Sequence, residues 1–263
     1  MLKLMDLISE DLLLESVFDK SILKCVFMAG GPGSGKSYVV RNLFGIPDTI
    51  NISVSGLKSV NSDTAFEKLL KDNGFDPAEL DEYPDELFSH LTGANKKGGA
   101  PTDVDSGLRK LSKDLTNAKQ NGYMKGKLGM IIDGTGHNFG KIKSQKQKLE
   151  KEGYDCYMVF VNTTLEVAQK RNKERSRVLP ADLVEDSWND VQKNIGGFQS
   201  LFGHGSDFVI VDNSKTLSAK AAEKKFSKLV KSHADKWAKS PIKNPIGKKW
   251  VADQLRLKKA GIK

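Results

Sequence analysis

The run Gly30-Gly31-Pro32-Gly33-Ser34-Gly35-Lys36-Ser37 meets every fixed position of the spacing G-x-x-x-x-G-K-[ST]. Residues of these types at this spacing serve one chemistry, the gripping of a phosphate chain. Glycines let successive backbone N–H groups turn toward an anion. A helix opening just after them adds its positive end. In such a loop Gly31, Pro32, Gly33, Ser34 and Gly35 supply the backbone cradle. Lys36 reaches the β- and γ-phosphates, and Ser37 holds Mg²⁺. The spacing therefore points to ATP or GTP with Mg²⁺.

Two aspartates could join this chemistry. Met130-Ile131-Ile132-Asp133 is an apolar run ending in a carboxylate, the type of residue that steadies Mg²⁺ beside a phosphate loop. An ordinary Asp-Gly turn is the bland alternative. Thr135 and His137 follow, on the edge where open α/β sheets gather ligands. Asp63 ends Val60-Asn61-Ser62-Asp63. A carboxylate there could deprotonate or orient an acceptor hydroxyl in line with a γ-phosphate. It could equally cap a helix, since Thr64-x-x-Glu67 reads as a capping box.

Arginines come next. Lys170-Arg171-Asn172-Lys173-Glu174-Arg175-Ser176-Arg177 is a basic stretch before Pro180. Arg171 and Arg175 share a helix face at i, i+4. Guanidinium groups suit the charge that spreads over a phosphoryl group in transfer. The stretch reads as a lid over ATP, led by Arg171 and Arg175, against the alternative of a solvated basic face.

The elements that must hold these residues follow from periodicity and punctuation. Residues 25–29 form a buried strand before the loop, and a helix runs from Gly35 to a stop at Gly45 and Pro47. Residues 58–62 are a short strand, and 49–55 could form an extra edge strand. Residues 74–99 read as a loop-rich insertion holding a short helix at 85–91. A helix over 104–120 places Leu108, Leu111 and Leu115 on one face. Strands are expected at 128–132, 154–161 and 208–211, with helices at 141–151, 165–175 and 183–195. Alternating strands and helices imply an α/β fold of three layers, αβα, on a mostly parallel five-stranded sheet.

The 263 residues carry a net charge of +9. From Lys215 onward fifteen basic side chains face three acids, a net of +12, which leaves about −3 for the rest. The chain thus divides into a helical N-terminus (1–21, with amphipathic spacing over 2–18), a core (22–214) and a basic helical extension (215–263). No apolar run approaches the roughly 20 residues of a membrane span. Acids around Leu12-Leu13-Leu14 argue against a secretory signal. Cys25 and Cys156 read as reduced core residues, and His90, His137, His204 and His233 lack metal-ligand spacing. A cytoplasmic protein is expected.

Taken together, GGPGSGKS, the SD after the second strand, IIDGTG, and RNKERSR followed by proline resemble the zeta-toxin-like and polynucleotide-kinase-like P-loop kinases. The resemblance covers about residues 22–214. It implies a parallel sheet wrapped by helices, Asp63 as general base, and Arg171 and Arg175 as ATP contacts. It implies as acceptor a sugar nucleotide or the 5′ hydroxyl of a polynucleotide. These kinases often carry an arginine shortly after the base; here Phe66, Glu67 and Lys68 fill that stretch. The idiosyncratic ends resemble those of many bacteriophage-encoded proteins of this type, which would put the protein in a host cytoplasm.

The extension admits two readings. Its lysines with Trp237 and Trp250 between them could hold nucleic-acid phosphates and stack bases. Alternatively Phe226, Leu229, Val230 and Trp237 form the apolar face of a docking helix. A nucleotide-binding module that works through such a tail without transferring phosphate is the second functional reading.

Overall fold

Unbroken apolar runs become strands buried on both faces. The computed structural model describes residues 16–46, 52–96, 107–174, 178–203, 205–215 and 219–261. In chain order the elements are β1 (Lys24–Ala29), α1 (Lys36–Phe44), β2 (Lys58–Val60), α2 (Ser62–Asp72), α3 (Asp85–Thr92) and α4 (Leu108–Lys125). There follow β3 (Met130–Asp133), α5 (Phe139–Lys151), β4 (Asp155–Asn162), α6 (Leu165–Lys173), α7 (Ala181–Lys193) and α8 (Ile195–Phe202). Last come β5 (Phe208–Asp212), α9 (Ala219–Leu229), α10 (Asp235–Lys239) and α11 (Pro245–Lys259). A 3₁₀ turn (Ser16–Phe18) precedes β1; the rest of the expected N-terminal helix lies outside the described residues.

The sheet order is β2-β3-β1-β4-β5, and every pairing is parallel. β1 sits at the centre, so the residues just past its carboxyl end are flanked by the ends of β3 and β4. The period of two along β1 divides the core. Cys25, Phe27 and Ala29 face one apolar layer with Ile142, Leu149, Phe198 and Phe202. Val26 and Met28 face the other with Val39, Leu43, Phe226 and Trp237. Helices therefore cover both faces, and the three-layer expectation holds with a fully parallel sheet.

Of the possible edge strand at 49–55, residues 49–51 lie outside the described residues, and Ile52 makes an isolated antiparallel bridge to Lys58. Leu111 and Leu115 point outward, 42% and 46% exposed. α4 instead packs through small residues: Ser112 is fully buried and Gly122 is buried too. Small contact residues let two helices approach closely, and that preference overrode the leucine spacing. The insertion also has order of its own, with Phe66, Leu70, Leu80, Phe88 and Leu91 forming a separate small core.

The basic extension docks. Trp237 is 2% exposed, stacks on Tyr157 at 4.9 Å and 15°, and donates to the Ser206 carbonyl at 2.6 Å. It cannot stack on a base while the domain is folded. The Asp155 carboxylate accepts from Lys24 Nζ at 2.7 Å, and from the backbone N–H groups of Lys243 and Asn244, both at 2.8 Å. Burial pushes the Lys24 ammonium below its ordinary pKa, and Asp155 pulls it back. That buried pair pins the chain before α11. Many of the lysines stay on the surface. Among the described residues no helix is long and apolar enough to cross a membrane.

Candidate nucleotide and acceptor site

β1 runs into the glycine loop, and the Gly30 N–H donates to the Thr135 carbonyl beyond β3 at 2.9 Å. Gly33 and Gly35 take left-handed φ values of +72° and +82°. A Cβ on Gly33 would stand 2.1 Å from the Ala168 carbonyl oxygen, and one on Gly35 would stand 2.4 Å from Asn213 Nδ2. α1 starts at Lys36 with no side chain capping it, so its first N–H groups are left for an anion. Lys36 Nζ donates to the Gly30 and Gly31 carbonyls at 2.6 and 3.3 Å. The ammonium therefore lies over the loop it must serve. Pro32 and Ser34 complete the curve; the Ser34 Oγ is buried without a hydrogen-bond partner among the described residues. The uncapped helix end fits a phosphate chain, and the two glycines let the loop pack against Ala168 and Asn213 where a side chain would collide.

Gly33→Ala tests the cradle against Gly74→Ala. Both glycines have positive φ, +72° and +81°, but a Cβ on Gly74 meets nothing within 4 Å. Each change costs about 1–2 kcal/mol of backbone strain. Only Gly33→Ala should also weaken magnesium-dependent ATP binding, by about tenfold or more, in a fluorescence titration with a labelled ATP analogue.

Residues that sequence reasoning did not single out brace the loop. Asn213, just past β5, donates from Nδ2 to the Ser34 carbonyl at 2.8 Å. Arg171 Nη1 donates to the Asn213 carbonyl at 2.8 Å, and lies 3.7 Å from the point a Gly35 Cβ would occupy. The Trp188 indole donates to the Thr163 carbonyl at 2.9 Å, and its backbone abuts Gly31. Arg171 thus lies beside the phosphate loop, joined to it through Asn213. Arg175 and Arg177 lie outside the described residues. Asn213 had one signal in the sequence, its place at the carboxyl end of the last strand.

Asp133 closes β3 in register with Met28 of β1, and Asn61 Nδ2 donates to its Oδ2 at 2.9 Å. Ser37 is exposed at the start of α1. A hydroxyl and a carboxylate are hard oxygen donors that suit Mg²⁺, which keeps several waters and takes further ligands from phosphates. Among the described residues no group of three or more His, Cys, Asp or Glu gathers for a metal, in keeping with so sparse a protein contribution.

Asp63 is not the helix cap. Asn61 caps α2, its Oδ1 accepting from the Asp63 N–H at 2.7 Å, and the Thr64-x-x-Glu67 box falls inside the helix. The Asp63 carboxylate instead pairs with Arg109 of α4 at 2.7 Å and stays 42% exposed. Arg109 also donates to the Ser62 carbonyl at 3.1 Å and sits 5.2 Å over the Phe66 ring. Asp63 thus meets an arginine from another helix rather than from its own. No sequence signal marks that pairing, because only the packing of α4 on α2 creates it.

Between the ends of β1, β2 and β3, α4 and α5 lies a cavity of about 170 Å³. Ser62, Asp133, Thr135 and His137 are on its wall. Thr135 Oγ1 and His137 Nδ1 share a 2.5 Å hydrogen bond, and Asn194 Nδ2 donates to the Gly136 and His137 carbonyls at 3.0 and 2.8 Å. The cavity shares Met28 and Asp133 with the surroundings of the phosphate loop.

Among curated proteins no sequence matches this chain. Several solved structures share its general arrangement. A gluconokinase from Sinorhizobium meliloti 1021 is 14% identical with a TM-score of 0.41, over 84% of this chain and 99% of that one. A shikimate kinase from Acinetobacter baumannii, in complex with shikimate, is 13% identical with a TM-score of 0.42, over 82% and 95%. The PezAT toxin-antitoxin system of Streptococcus pneumoniae is matched at 10% identity and a TM-score of 0.44, over 94% and 96%. Similarity at this level says nothing of the acceptor. The AAA domain family matches residues 25–197, from β1 into α8 and through every residue of the loop described above. A match over that span makes this chain a member of the AAA domain family, built on a P-loop nucleotide-binding fold.

Proposed function

We propose that the protein is an ATP-dependent phosphotransferase that moves the γ-phosphate to a hydroxyl of a second molecule. The observation that carries this reading is the cavity beside the phosphate loop, walled by Asp133 and by Ser62, the neighbour of Asp63. Asp63 takes the proton of the acceptor hydroxyl as its oxygen bonds to the γ-phosphorus, and the bond to the bridging oxygen of ADP breaks. Lys36 and Arg171 offset charge on the transferring group; Arg175 is assigned the same role from sequence. Ser37 and Asp133 would hold Mg²⁺, which neutralises phosphate charge when bound. The acceptor classes carried by the resemblance are a sugar nucleotide and a polynucleotide 5′ end.

γ-Labelled ATP offered with UDP-sugars, 5′-hydroxyl oligonucleotides and total protein tests the reading. Label is expected in one of the first two pools. Label in none, with magnesium-dependent ATP binding intact, would replace it with a nucleotide-binding module that acts through a partner of its basic tail.

A further inference from the structure

Two lysines face each other across the acceptor cavity. Lys113 comes from α4 and Lys141 from α5, and both line it. Neither side chain makes a hydrogen bond or ion pair among the described residues. Their neighbours on the same helices do: Lys110 pairs with Asp114 at 2.6 Å, and Lys146 with Glu150 at 2.5 Å. Of the two acids nearby, Asp63 is paired with Arg109, and Asp133 accepts from Asn61 while keeping its charge on the same wall. Lys113 therefore stands among cations. Partial burial, followed by Arg109 and Lys141, pushes its pKa below the ordinary value, and Asp63 offsets this only in part.

Like charges held close without a counter-ion repel, and an anion placed between them reverses the sign of the interaction. The side chains of Asn117, Gln120 and Gln145, also on the wall, make no hydrogen bond among the described residues either. They add polar groups able to meet a hydroxylated compound. A chamber of about 170 Å³ has room for one small molecule.

We infer that the acceptor is a small hydroxyl compound that is itself anionic, bearing a phosphate or a carboxylate that Lys113 and Lys141 hold while a hydroxyl faces Asp63. This rests on the phosphotransferase reading and narrows it. Phosphate and carboxylate share the chemistry the lysines recognise, so the test must separate them.

The full chain, saturated with Mg²⁺ and a non-hydrolysable ATP analogue, is screened by thermal shift against three sets of small hydroxyl compounds: phosphate-bearing, carboxylate-bearing and neutral. Binding compounds are then offered with γ-labelled ATP. Binders are expected in one of the two anionic sets, and the set that gives them names the group. Lys113→Gln/Lys141→Gln should raise the half-saturating concentration of such a binder by about tenfold or more, with ATP affinity unchanged. The Arg/Arg double variant should recover most of it, and Lys110→Gln should change nothing. A neutral binder that is also labelled overturns the inference. So does an anionic binder held equally by the Gln/Gln variant, or the absence of any anionic binder. The thermal shift is read without turnover. Anionic binding that depends on both lysines but gives no label would therefore sink the transferase reading and the acceptor role with it, leaving only an anion site between the lysines.

Discussion

Lys36→Ala is expected to weaken magnesium-dependent ATP binding by about ten- to a hundredfold and to lower any phosphotransfer by about 10²–10³ more. The first loss is that of a charge-assisted contact to the β- and γ-phosphates. The second arises because the ammonium does most when charge builds on the transferring group. The fold should not suffer. The buried residues of α1 are Val39, Val40, Leu43 and Phe44, so the apolar packing of the helix does not involve Lys36. Calorimetric titration with ATP, beside a melting curve, checks both parts. Unchanged affinity in a folded variant would remove the phosphate loop from the account, and the nucleotide with it.

Asp63→Asn should separate chemistry from binding. ATP affinity should hold, since Asp63 belongs to α2 and not to the loop. Phosphotransfer should drop by about 10²–10⁴, the usual contribution of a positioned general base. The amide still fits beside Arg109 but can no longer take a proton. Stability should move little, because the ion pair with Arg109 involves a carboxylate that is 42% exposed and such pairs contribute about 0–1 kcal/mol. Arg109→Ala is the companion: it leaves the carboxylate in place but unanchored, so a smaller loss is expected. Single-turnover labelling reads both. Full activity in Asp63→Asn would reduce Asp63 to a partner for Arg109.

The candidate site was only partly legible beforehand. Asp133 could be placed because β3 is a short apolar run with one carboxylate at its end, and a parallel sheet turns such ends toward the ligand edge. Asp63 could be found but not understood. Thr64 and Glu67 imitate a capping box, while the cap is Asn61, whose amide on the far side of the same residue also reaches Asp133. Arg109, Lys113, Lys141 and Asn213 were not found. They stand in ordinary lysine-rich or strand-end sequence, and only folding brings them to the loop and the cavity. The lid arginines divide: Arg171 reaches the loop through Asn213, and Arg175 falls outside the described residues.

By itself the sequence determined what depends on local order. Eight consecutive residues carry the phosphate loop, and unbroken apolar runs between amphipathic stretches dictate parallel strands under helices, because backbone geometry and side-chain period act over a few residues. Tertiary structure alone decided which face of α4 turns inward, that Trp237 is core, that Arg109 meets Asp63, and that two lysines confront each other across a cavity. Those outcomes depend on close packing and on charges brought together from distant parts of the chain, and neither leaves a periodic mark along it.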